Sequence, residues 1–175
     1  PGSVDGFETA VFAVLGQQIT VRGACELAGR LVARHGRELA GTDLRVFPDP
    51  ATLTTADLDG LGMTRRTQAA IRRIAELVGD GLALDPGGHR AESRDALLGV
   101  HGVGPWTADY IAIRALRDPD VLPVGDLVIR KAAASLGLPS QQRSLADHAT
   151  RWAPWRTYAA HHLWAASALT HNKES

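Results

Sequence analysis

Three glycines and a proline stand directly ahead of an apolar helix in "GVHGVGPWTADY", Gly99–Tyr110. Pro105 suits the first helical position, where its missing amide proton has no intrahelical partner to lose. Gly102 and Gly104 remove side chains where the chain turns and permit positive φ. The amides of Gly104 and of Trp106 and Thr107 after it then belong to a helix N-terminus, a natural place for an anion such as phosphate. A plain helix–turn–helix connection with no ligand explains the glycine spacing equally well. Trp106 and Tyr110 lie one helical turn apart on a common face, although tryptophans in a helical protein usually serve the core. Asp126, in "VGDLVIR", reads on its own as an N-cap opening a helix, and a helix N-terminus also favours its ionised form.

Other polar residues carry weaker signals. Gln17 and Gln18, in "LGQQIT", fall between two helices and read as capping or surface side chains. Arg65 and Arg66 could touch phosphate, but an arginine run is ordinarily a solvated face. His101, His161 and His162 read as structural, with no spacing that suggests a metal site. The single cysteine, Cys25, excludes a disulfide framework and any four-cysteine zinc or iron–sulfur site. It falls in an apolar helical stripe and is expected to be a buried, unreactive thiol.

The elements that must position these residues are helices. The hydrophobic period is helical nearly throughout, in "FETAVFAVL" (Phe7–Leu15), Thr20–Gly36 with Gly36 as a C-terminal stop, and Arg65–Gly81. Ile71, Ile74 and Val78 share one face of the last, with Arg65, Arg72 and Arg73 mostly off it. Thr54–Gly62 reads as a short capped helix after a loop holding Pro48 and Pro50. Ser93–Val100 reads as another, with Ser93 as its cap. Helices follow over Pro105–Leu116, Asp126–Leu136 and Leu145–Trp152, and Pro154 opens a last one to about Thr170. No alternating strand and no long internal repeat is visible, so the expectation is an all-α chain of about nine helices. The 175 residues are 45% hydrophobic with zero formal net charge, enough to bury a core. The charge balance announces no nucleic-acid partner, but the basic residues are almost all arginine, which suits bidentate and phosphate contacts. No apolar run approaches ~18 residues and no signal pattern opens the chain, which points to a cytoplasmic protein.

"LLGVHGVGPWTADY", followed 22 residues after Gly104 by the aspartate of "LPVGDLVIRKA", resembles the helix–hairpin–helix DNA glycosylase superfamily. "FETAVFAVLGQQITVRGA", "LGMTRRTQAAIRRIAE" and "RWAPWRTYAAHHLW" further resemble its bacterial alkylbase branch, the 3-methyladenine DNA glycosylase II enzymes. The motifs run in order from about Phe7 to Trp164. The resemblance implies an all-α fold of two helical lobes with the active-site cleft between them. One lobe, 6–118, would carry a wedge loop and the hairpin. The other, 119–175, would open with the helix of the catalytic aspartate. The β-rich N-terminal domain of the most similar relatives has no counterpart here, so a fragment and a shorter stand-alone enzyme are both open.

By the same resemblance, Asp126 is the catalytic carboxylate, and the hairpin grips a DNA phosphate through amides at Gly102, Gly104, Trp106 and Thr107. Carbonyls of Leu98, Val100 and Val103 would hold a Na+ or K+ ion there, and no cofactor is needed for catalysis. Trp106, Tyr110 and Trp164 would line the base pocket, with Trp152 and Trp155 left as packing residues. Gln17 and Gln18 stand at the DNA wedge, where a relative has leucine in place of Gln18. Strand-cutting members carry a Schiff-base lysine where this chain has Trp106. The implied protein is therefore a monofunctional hydrolase that flips alkylated purines out of double-stranded DNA and leaves an abasic site. It would act as a monomer in the bacterial cytoplasm, on the nucleoid. A glycosylase for uracil, mismatched thymine or oxidised bases, and a non-catalytic DNA-binding domain, are the alternatives.

Overall fold

The computed structural model describes residues 2–171. Among them nine α-helices and one short 3-10 turn account for almost all regular structure: α1 (Gly6–Leu15), α2 (Val21–His35), α3 (Pro50–Thr55), α4 (Arg65–Gly79), α5 (Arg90–Leu98), α6 (Pro105–Arg114), α7 (Leu127–Ser135), α8 (Gln142–Ala149) and α9 (Arg156–His171). Two residue pairs, Arg37–Glu38 (β1) and Arg45–Val46 (β2), form a minimal antiparallel ladder. No helix of the described residues is long and apolar enough to cross a membrane.

The chain divides into two compact units, Pro1–Leu116 and Arg117–Ser175. In the first, α1 is apolar on nearly every side and buries Phe7, Ala10, Val11, Ala13, Val14 and Leu15. It packs on α2, α4 and α6. Asp5 caps it by accepting the Glu8 amide at 2.8 Å, and Thr20 and Thr64 cap α2 and α4 in the same way. Helix α4 turns Ile71 and Ile74 inward and leaves Arg65, Arg66 and Arg73 exposed, the amphipathic division its sequence requires. In the second unit α7 lies against α9, around Ile129, Ala132, Ala133, Leu145, Ala160 and Leu163. Each fully buried leucine or isoleucine in these cores contributes roughly 1.5–3 kcal/mol of transfer free energy.

Several local expectations fail for identifiable reasons. Helix α3 opens at Pro50 behind the Asp49 cap and ends at Ala56, so Pro50 starts a helix and Thr54–Gly62 does not form one. Pro fits the first helical turn, and that placement moves the element toward the N-terminus. Ser93 lies inside α5, 2% exposed, and donates its hydroxyl to the Ala83 carbonyl at 2.9 Å instead of capping. Pro154 precedes α9 by two residues and follows a cis bond.

Cys25 is exposed, because the inward stripe of α2 runs through Ala24 and Leu31 and Cys25 sits about 100° away from Ala24. Trp155 is exposed as well, edge-on to Tyr158 at 5.6 Å, so it is not a core residue. Gly36 does end α2, but with φ −70 and not in the left-handed region. Its lack of a side chain matters for space: a Cβ there would stand 2.5 Å from the Val32 carbonyl and 2.6 Å from that of Val46.

Candidate functional site

Helix α5 ends at Leu98 and α6 begins at Pro105, and six residues reverse the chain between them. Gly102 takes φ +103, a value rarely tolerated by a residue with a side chain. A Cβ on it would also press on Arg66, whose Cγ and Nε would lie 3.3 and 3.4 Å away. Gly104 is the N-cap residue of α6 at φ −96, with open space where a Cβ would stand. Of the two glycines, the fold requires only Gly102; at Gly104 the missing side chain opens the approach to the α6 amides. The Val103 amide closes the turn on the Val100 carbonyl at 2.9 Å. Behind the hairpin, Arg94 of α5 donates Nε and Nη2 to Asp109 Oδ1 of α6, at 2.9 and 2.7 Å. Burial pushes the Asp109 carboxyl up, and the Arg94 hydrogen bond and charge offset that only in part.

The glutamine turn between α1 and α2 meets this hairpin. Gln17 Nε2 donates to the Gly102 carbonyl at 3.0 Å and to Thr107 Oγ1 at 2.9 Å. Gln18 is exposed and carries φ +60. Gln17, Gln18, Arg66 and Gly102 line a polar groove of about 240 Å3. Arg65 is exposed, as is His101 in the hairpin.

Trp106 and Tyr110 project from α6 and stack, with centroids 5.6 Å apart and planes inclined by 20°. Both are half-buried. With Phe12, Ile19, Val21 and Ala24 they line an apolar hollow of about 180 Å3. Tyr110 also borders a larger and more polar hollow of about 470 Å3, with Asp5, Glu8 and Arg114. There the Arg114 guanidinium lies 5.8 Å from the Tyr110 ring centre. Burial pushes the Glu8 carboxyl up, and the Asp5 charge adds to it.

Asp126 belongs to the second unit. It is 8% exposed, and its Oδ1 accepts the Ile129 amide at 3.0 Å, so the expected cap is present. A carboxylate offers two oxygens and about four lone pairs, so capping does not exhaust it. The segment ahead of it is fixed on α9. Arg156 Nε and Nη2 grip Asp120 Oδ1 and Oδ2 at 2.6 and 2.7 Å, a bidentate pair. Thr157 Oγ1 donates to the Asp118 carbonyl at 2.7 Å and accepts the Val121 amide at 3.0 Å. Trp164, half-buried on α9, packs on the core of this unit and meets His161 edge-to-face at 5.4 Å.

No family model matches the chain. Over 168 residues it is 45% identical to the "Probable bifunctional transcriptional activator/DNA repair enzyme AlkA" of Mycobacterium tuberculosis, a match covering 94% of this chain and 34% of that protein. It is 34% identical to "DNA-3-methyladenine glycosylase 2" of Escherichia coli, covering 94% of this chain and 58% of the relative. The fold superposes on 3-methyladenine DNA glycosylase from Archaeoglobus fulgidus with a TM-score of 0.78 at 26% identity, covering 95% of this chain and 59% of that one. The Schizosaccharomyces pombe enzyme in complex with abasic DNA gives 0.74 at 26% identity, covering 93% and 81%. Over nearly its whole length the chain is thus similar to 3-methyladenine DNA glycosylases, in sequence and in fold.

The chain spans between a third and three-fifths of the length of the curated relatives just described. Within the first unit the structure unites Gln17, Gly102 and Thr107 in one hydrogen-bonded group, and Trp106 with Tyr110 in one stack. Asp126 and Trp164 stand in the other unit. Sequence reasoning missed Phe12, Ile19 and Val21 at the aromatic hollow, and Asp120, Arg156 and Thr157 ahead of Asp126. The first three look like ordinary core positions. The "DPD" before Asp126 and the "WRT" that grips it are polar residues in apolar surroundings, a signal that was legible in principle.

Proposed function

We propose that the protein is a monofunctional DNA glycosylase of base-excision repair that removes alkylated purines of the 3-methyladenine type. The observation that carries this reading is Asp126, a buried carboxylate fixed at the head of α7 by a hydrogen bond to its own helix. Breaking the C1′–N bond leaves positive charge on the deoxyribose, and a fixed carboxylate stabilises that oxocarbenium-like state. Water then adds to C1′ and loses a proton, which Asp126 can accept. The bond electrons leave with the base. An alkylated base is already cationic and departs without a strong acid.

The other residues serve recognition. The amides of Gly104, Trp106 and Thr107 at the head of α6, beside Gly102, bind phosphate, a contact that positions without reading sequence. Gln18, exposed at the tip of its turn, fills the gap left by the flipped nucleotide. Trp106, Tyr110 and Trp164 offer π-faces to an electron-deficient base. Trp106 cannot form a Schiff base, so the product is an intact strand with an abasic site. Carbonyls of Leu98, Val100 and Val103 suit a monovalent cation: they are neutral oxygens at the end of α5 and in the hairpin after it, and Val100 gives only one lone pair to Val103. Such an ion would offset phosphate charge. Double-stranded DNA is the partner, met as a monomer in the cytoplasm.

Incubation with duplexes containing N-methylpurines, uracil or 8-oxoguanine, followed by alkali, tests the reading. Cleavage at the methylated purines is expected. Cleavage of the uracil duplex alone would replace the substrate assignment, and no cleavage of any duplex would leave only a DNA-binding domain.

A further inference from the structure

We propose that Gln17 is a positioning tether, which locks the turn carrying Gln18 to the phosphate-binding hairpin. The inference rests on the base-flipping function proposed above. Three observations in the first unit carry it. Gly102 presents a carbonyl, which can only accept, so the group facing it at 3.0 Å must be the Gln17 amide nitrogen. The second proton of that nitrogen is used at 2.9 Å on Thr107, whose side chain is buried at 3% exposure. Gln17 therefore bonds to one residue of the hairpin and one of the first turn of α6, 85 and 90 positions along the chain. Both its donors are spent, and a side chain held this way is not available to enter a base stack.

The next residue shows the consequence. Gln18 adopts φ +60, a conformation disfavoured for any residue with a Cβ. It is held there between the Gln17 bonds on one side and the Thr20 cap of α2 on the other, where Thr20 Oγ1 accepts the Gly23 amide at 3.2 Å. A turn fixed at both ends keeps the exposed Gln18 at a set distance from the amides that take the phosphate. The phosphate grip and the insertion thereby become one rigid ruler: once the hairpin seats, the side chain that displaces the nucleotide is already in place. A loose turn would bind DNA through the hairpin but would pay the ordering cost during flipping.

Gln17→Met keeps the length and loses both donors, Thr107→Val removes the hydroxyl at similar volume, and the double variant closes a cycle. Each is compared with the intact chain in single-turnover release of an N-methylpurine, affinity for undamaged duplex, and fluorescence of a 2-aminopurine beside the lesion. Gln17→Met should lower release and the flipping signal about tenfold, the scale of two neutral hydrogen bonds. It should leave undamaged-duplex affinity within about twofold, since phosphate contacts dominate that binding. Thr107→Val should do less, Thr107→Ser should restore the wild-type rate, and the double variant should be no worse than Gln17→Met. Additive losses, a wild-type flipping signal, or equal losses of affinity and release would overturn the tether. If Gln17→Met does not fold, the Thr107 pair decides by itself. If the unaltered chain releases no base from any duplex, the function fails, and the tether is then judged in the free protein. There, hydrogen exchange at the Gln17 side-chain amide must be slower than at Gln18; equal rates refute it.

Discussion

The proposed function gives Asp126 a second job beside its cap, and two substitutions separate the two. Asparagine ranks with aspartate as an N-cap, so Asp126→Asn keeps an oxygen for the Ile129 amide, now 3.0 Å from Oδ1. What it loses in stability is the attraction of a negative charge to the helix N-terminus, ~0.3–1 kcal/mol. Asp126→Ala loses the cap as well, about 1 kcal/mol more. The chemical loss is larger. The side chain is 8% exposed, and for such a group an effective dielectric of about 20 applies, giving ~4 kcal/mol for unit charges ~4 Å apart. If a cationic sugar forms at that range, losing the charge slows the bond-breaking step by roughly a thousandfold at ~1.4 kcal/mol per decade. Single-turnover release with enzyme in excess measures that step, thermal melting measures the cap, and anisotropy on undamaged duplex measures binding. Both variants should lose release to a similar degree, only alanine should melt clearly lower, and neither should bind less tightly, because a carboxylate repels phosphate. Release by Asp126→Asn within tenfold of wild type, or losses that follow melting temperature, would show that Asp126 is only a cap.

Three further outcomes follow from the geometry. Gly102→Ala meets φ +103 and the Arg66 side chain, and should destabilise the protein by ~1–2 kcal/mol in denaturant titration. Gly104→Ala meets neither, so it should melt normally yet bind every duplex more weakly, whatever the lesion; a changed lesion preference would contradict the phosphate assignment. Asp120→Asn should cost ~0.5–1 kcal/mol at neutral pH, a range already discounted for the 27% exposure of the carboxylate. The hydrogen bond from Arg156 holds the Asp120 carboxyl below its ordinary 3.8, so its contribution is complete above that value and fades as the pH falls through the lower folded one. Unfolding titrations from pH 7 to pH 3 should therefore show the gap between wild type and variant closing toward acid; a widening gap would refute the pairing.

What could be read from the residues differs by kind. Amphipathic helices such as α4, and caps such as Thr20 and Asp126, are local: period and cap chemistry lie within a few residues. Errors arose where one residue type serves two local ends. Pro50 can close a loop or open a helix, Ser93 can cap or bond inward, and a glycine after a helix can supply positive φ or merely space, as Gly36 does. Burial of Cys25 was misjudged because the stripe of α2 is narrow and one position moves a side chain by about 100°. The site divides likewise. Trp106 and Tyr110 were adjacent by helical spacing, whereas the Gln17 bonds to Gly102 and Thr107 span nearly the whole first unit and leave no local trace.

The Asp126 cap also bears on tolerance to sequence drift. One of its oxygens is held by a backbone amide three residues away, so part of the carboxylate's aim comes from the helix that it begins. Substitutions elsewhere can thin the core of the second unit and lower the fraction of molecules that are folded. As long as the first turn of α7 persists, each molecule that remains folded should keep that anchor on Oδ1. The anchor itself is then insensitive to losses of core packing that lower stability, because the amide that supplies it belongs to the same turn.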